Sequence, residues 1–214
     1  MKLTQLAAGL IALSSLTAQA GYLQIAGGVN TAVPTNNYYL GDLSPQTYNI
    51  GGNLQSSING ILSLDFTYLG SEAGWKNTFT SSSVLNSVGG SIDNTLPSPF
   101  FGYFDAYTVG ENINFSFSTN GSPVPNFVVN GYNNLGDHWV SFATALNTSF
   151  DGNSYDAILF FDDTGGFNDD DNHDDLVIGV RVLNATVTSV PESSTFVLMM
   201  MGLAGLFAAR RFKA

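Results

Sequence analysis

The chain contains no cysteine. That excludes a disulfide framework, a cysteine nucleophile, a thiolate metal site and the anchor cysteine of a bacterial lipoprotein. Charge is scarce as well. Asp, Glu, Lys and Arg make up 11% of the residues, and between positions 21 and 189 sixteen Asp/Glu face only Lys76 and Arg181. A surface of that kind repels nucleic acid and anionic headgroups and attracts divalent cations, so no nucleic-acid partner is expected. Phosphate-cradling glycine loops, nucleotide fingerprints, zinc spacings and a Gly-x-Ser-x-Gly elbow are all missing, and no enzyme is expected. Positions 21–189 also lack helical periodicity and internal repeats.

What is present is β-forming. Sixteen Phe, nine Tyr and twenty-three Gly supply core area and turns for an all-β chain of short strands. Residues 61–69 (ILSLDFTYL) alternate, with Leu62, Leu64, Phe66 and Tyr68 on one side. In residues 112–118 (NINFSFS), Ile113, Phe115 and Phe117 share a face, again the period of a half-buried antiparallel strand. Further strands are expected over 100–109, 138–143, 155–161 and 176–187, with turns at 51–53, 88–94 and 123–126. Residues 81–99 (SSSVLNSVGGSIDNTLPSP) read as a long loop or internal boundary, at which the domain is not split because the halves would be small for independent cores. The economical architecture is an antiparallel β-sandwich or jelly-roll-like domain over residues 21–189, large enough to bury a core without staples.

Both ends of the chain read as export signals. Lys2 precedes an apolar stretch at 6–16 (LAAGLIALSSL), and Ala18-Gln19-Ala20 ends it. The run is too short to span a bilayer and fits a signal peptide over 1–20, cleaved after Ala20. At the other end, residues 196–209 (FVLMMMGLAGLFAA) are uncharged and stop against Arg210-Arg211. Fourteen helical residues rise about 21 Å against roughly 30 Å of hydrocarbon. This is a short single transmembrane helix whose basic end stays cytoplasmic.

The order Val190-Pro191-Glu192, apolar run, Arg210-Arg211 resembles the sorting signal of PEP-CTERM proteins, here over residues 190–214. Ser193 stands where that signal usually has a second proline. The resemblance implies a Gram-negative exporter, processing by the membrane-embedded enzyme exosortase, and transient anchoring in the inner membrane. It then implies a cell-surface or extracellular place in a biofilm or exopolysaccharide matrix.

One constellation suggests chemistry within the domain. The acidic loop 162–175 carries Asp162, Asp163, Asp169, Asp170, Asp171, Asp174 and Asp175, with Asn168 and Asn172 among them. Crowded carboxylates repel one another, and a bound cation relieves that repulsion. Hard oxygen donors suit Ca²⁺. Asp170-x-Asn172-x-Asp174 imitates an EF-hand opening, but Asp175 replaces the turn glycine and Arg181 the twelfth-position Glu, so an EF-hand is excluded. The segment is similar to Asp/Asn-rich strand–loop–strand segments of other exosortase-sorted surface proteins. The competing expectation is a solvated acidic turn guarding a strand edge, with His173 exposed in it.

Asp137-His138 could orient a base, but no nucleophile motif accompanies it, and a capping role is expected. Trp75, Trp139 and the tyrosines could stack on sugars, although alternating aromatics are first of all core. The sequence therefore points to a structural or adhesive component of an extracellular matrix, Ca²⁺-stabilised. The alternatives are a carbohydrate-binding module and, with less support, a polysaccharide hydrolase built on paired carboxylates.

Overall fold

The computed structural model describes residues 21–95, 100–121, 125–135, 139–164 and 172–188. The expected signal peptide, Val190-Pro191-Glu192, the transmembrane segment and Arg210-Arg211 lie outside them, as do His138 and Asp169, Asp170 and Asp171. Among the described residues no helix is long and apolar enough to cross a membrane.

The described residues form an all-β, antiparallel fold. Strands β1 (Leu23–Ala26), β2 (Val29–Ala32), β3 (Leu43–Ser44), β4 (Thr47–Ile50) and β5 (Asn53–Ser56) come first, with a 3₁₀ turn at Leu40–Asp42. The long β6 (Gly60–Gly70) is followed by β7 (Asn77–Ser82), β8 (Gly89–Asp93) and β9 (Phe100–Tyr107). Then come β10 (Phe115–Thr119), β11 (Phe127–Val129), β12 (Ser141–Phe150), β13 (Asn153–Asp162) and β14 (Leu176–Val187). The large sheet runs β2-β4-β12-β13-β14-β6-β9, with β3 also on β12. The smaller sheet runs β11-β10-β7-β8, and β1 pairs with β5.

These two sheets enclose one core, as a sandwich does. Leu62, Leu64 and Phe66 of β6 and Phe161 of β13 meet Phe79 of β7 and Phe115 and Phe117 of β10. Phe117 and Phe161 stack with centroids 4.9 Å apart and planes 5° from parallel. The alternation expected in β6 and β10 follows from this, since one face of each strand fills the core.

β13 behaves differently, because both of its faces are covered. A second apolar cluster (Tyr39, Leu43 and Tyr48 over Ala143, Ile158 and Phe160) closes the outer side of β12 and β13. A strand buried on both faces reads as a continuous apolar run, and AILFF in residues 157–161 is one.

Two expectations are corrected. The stretch expected as a loop at 81–99, with its turn at 88–94, contains β8, which pairs with β7 from Thr78↔Asp93 to Ser82↔Gly89. The strand expected to end at Ala143 continues as β12 to Phe150, paired with β13 down to Phe150↔Asn153.

The two ends of the described domain meet on one turn. Ser57 N–H donates to Tyr22 O (3.0 Å), and its hydroxyl donates to Gly21 O. Two residues on, Asn59 O accepts from the Thr188 N–H (2.8 Å) and hydroxyl (2.9 Å).

Candidate functional site

Antiparallel pairing of β13 with β14 brings the two ends of the acidic segment together at one pole of the large sheet, where Phe161 faces Leu176. Of the residues expected to bind metal, Asp162 (1% exposed), Asp163 (4%), Asn172 (3%) and Asp174 (0%) are buried, and Asp175 is half-buried. A solvated turn does not bury three carboxylates. The described part of the segment is a polar corner packed into the fold.

Each buried carboxylate meets neutral donors. Asp163 Oδ2 accepts from Asn77 Nδ2 (2.6 Å), and Asp162 Oδ1 accepts from the Thr164 N–H (3.2 Å). Asp174 Oδ2 accepts from the Tyr38 N–H (2.6 Å), while Asp175 Oδ2 accepts from the Asp163 N–H (2.8 Å). The segment before β3 is tied in by Asn37, whose Nδ2 donates to Asn172 O (2.6 Å). Burial, with Tyr68 and Asp174 adding to it, pushes the Tyr39 phenol well above its ordinary value, so it stays neutral beside the corner.

Among the described residues, Lys76 and Arg181 are directed elsewhere. Lys76 Nζ pairs with Asp93 Oδ2 at 3.1 Å. Arg181 Nε donates to Ser154 O, and its guanidinium lies 4.2 Å over the Tyr155 ring.

Glu72 joins the corner from the end of β6. Its N–H donates to Asp174 O (3.1 Å). Glu72, Asp174 and Asp175 each place a carboxylate oxygen within 4.8 Å of the other two. Glu72, Asn77, Asn37 and Tyr38 could not be found from the sequence, since each is an isolated residue in another part of the chain.

His173 corrects a second expectation. It is 2% exposed, not an exposed turn residue, and it adopts a left-handed φ of 57°, a region histidine tolerates better than most residues. Its Nε2 lies 2.9 Å from Ser141 Oγ, and its Nδ1 lies 3.8 Å from Asp162 Oδ2. The order Ser141, His173, Asp162 has the outline of a nucleophile, base and orienter. Ser141, however, is fully buried at the start of β12 beside Asp162 of β13, so the contact with His173 lies inside the fold.

Trp75 (38%), Trp139 (47%), Tyr38 (72%) and Tyr132 (86%) keep exposed surface. The ring of Trp75 is backed by Gly121, where a Cβ would come within 2.0 Å of it.

No family model, curated protein or solved structure matches this chain.

Proposed function

We propose that this protein is an exported, exosortase-sorted component of a bacterial cell surface or extracellular matrix, structural or adhesive in role and braced by Ca²⁺. The observation that carries the reading is the buried acidic corner. Asp162, Asp163 and Asp174 lie inside the fold, and Glu72, Asp174 and Asp175 converge at its edge. Carboxylates gathered in one place repel one another, and a bound cation relieves that repulsion. The oxygen-only donor set fits a hard divalent ion, and Ca²⁺ accepts irregular, mixed oxygen shells. Extracellular Ca²⁺ would then hold the β13–β14 pole to the segment before β3. The sorting tail and signal peptide, read from sequence, supply the extracytoplasmic address.

The test is a calorimetric Ca²⁺ titration of the full chain, with thermal melts in Ca²⁺ and in chelator, repeated on Asp174→Asn and Glu72→Gln. A hundredfold excess over Kd is expected to stabilise by about 2.7 kcal/mol, raising Tm by roughly 5–10 °C. Both variants lose most of that shift. No heat and no shift would reject Ca²⁺ bracing. The address and matrix role are tested separately, by fractionating producing cells and deleting the gene. Surface or matrix recovery with loss of cell aggregation supports them, whereas periplasmic retention or unchanged aggregation rejects them.

A further inference from the structure

We infer that a groove on the flank of the sandwich, remote in sequence from the acidic corner, binds an uncharged, hydroxyl-rich ligand: a neutral saccharide. The groove, about 720 Å³, lies where β4 leaves β12. Those strands pair only at Ala143↔Ile50 and Thr144↔Asn49, and β12 next meets β3 at Ser149↔Ser44. Between these points the sheet is split. A space of that size falls in the range of small-ligand sites.

Its lining sets the ligand class. Among the described residues none that lines it is charged, although the domain around it is strongly acidic. Asn30, Thr31, Thr47, Asn49 and Thr144 supply amides and hydroxyls; Ile25, Pro45 and Leu146 supply apolar surface. An ion would find no counter-charge here, and a purely apolar ligand would strand the amides. Sugar rings carry both hydroxyls and C–H faces and match both halves of the lining.

Two buried atoms make this more than a surface dent. Asn49 pairs with Asn30 on one side and Thr144 on the other, so strand alternation turns all three side chains to the same face. Asn49 Nδ2 donates to Asn30 Oδ1 (2.9 Å) and Gly27 O (3.3 Å). Among the described residues Asn49 Oδ1 and Thr144 Oγ1 have no hydrogen-bond partner, yet these residues are 6% and 1% exposed. Buried polar groups are nearly always satisfied, and two unmet groups side by side on a groove floor suit hydroxyls that donate and accept together. Gly28 packs closely against the Asn49 amide. Its φ is +69°, and a Cβ there would come within 2.0 Å of Asn49 Oδ1.

The test applies the detergent-solubilised full-length protein to an array of neutral and acidic glycans, then titrates the soluble hit by calorimetry. Thr144→Val keeps the shape and removes the hydroxyl; Thr47→Trp fills the groove from its exposed rim. At least one neutral glycan is expected to bind. Thr144→Val should weaken it about tenfold, the loss of one hydrogen bond, with Tm held or raised. Thr47→Trp should abolish binding in a folded protein. The inference is overturned if no neutral glycan is retained, if only acidic glycans are, or if binding survives both variants unchanged.

Discussion

Asp93 shows how a single side chain makes this fold sensitive to acid. Its carboxylate accepts from the Thr95 hydroxyl (2.5 Å) and N–H (2.9 Å) and pairs with Lys76. The Thr95 hydroxyl foremost, and then Lys76, hold it below the usual carboxylate range against the opposing effect of burial. A lowered folded value means the stabilisation is complete above the ordinary carboxylate pKa of about 4 and fades as pH falls through the folded value. Thr95→Val is expected to cost about 1 kcal/mol at neutral pH, and the deficit should close in acid. Urea unfolding of both proteins from pH 7 to pH 2 measures it; a gap that persists at pH 2 refutes the assignment. Gly179 is a different kind of constraint. A Cβ there would come within 2.4 Å of the Tyr155 ring, the ring on which Arg181 rests. Gly179→Ala is expected to destabilise by about 1–3 kcal/mol through overpacking, seen as a lower urea midpoint at unchanged slope.

At the scale of elements, asparagine side chains stand in for missing backbone partners. Asn130 Oδ1 accepts from the Leu54 N–H (2.9 Å), while its Nδ2 donates to Leu54 O and Ile113 O (2.7 Å each). Asn133 bonds both the N–H and the C=O of Phe142 and also Gly52 O. Asn130→Ala strands two buried backbone groups, the Leu54 N–H and the Ile113 carbonyl, and is expected to cost about 2–4 kcal/mol, measurable by chemical denaturation; a loss below 1 kcal/mol would show that the strands repair themselves. These bridges also mark the limit of sequence reading. β6 and β10 were legible because one face of each is buried in the core while the other is less buried. The second half of β12 was not, since Thr144 and Ala145 are small and buried on opposite faces, which leaves no contrast to read. β8 opens with Gly89-Gly90-Ser91, a turn by composition, and becomes a strand only because β7 pairs with it. The acidic corner was legible as a run of oxygen donors. Its burial was not, because Tyr48, Ser141, Asn77 and Glu72 reach it from distant parts of the chain. Tyr48 shows this for His173, its ring lying 5.8 Å away across the outer cluster.

At the scale of the molecule, the two apolar clusters make the large sheet a middle layer. The smaller sheet covers one side, and the chain before β5 covers part of the other. β14 crosses that layer from the acidic corner at Leu176 to Val187, a run of about 36 Å at strand rise. It lies between β13 and β6, and at its far end Thr188 fastens to the Ser57–Asn59 turn that also holds the first residues of the domain. Tension between the corner and Thr188 therefore travels lengthwise down one strand. Ladder hydrogen bonds stand perpendicular to their strands, so this pull loads many of them together in shear and does not peel them singly. A domain gripped at those two points is mechanically strong along that axis and weakest to a sideways tug on β2 or β9.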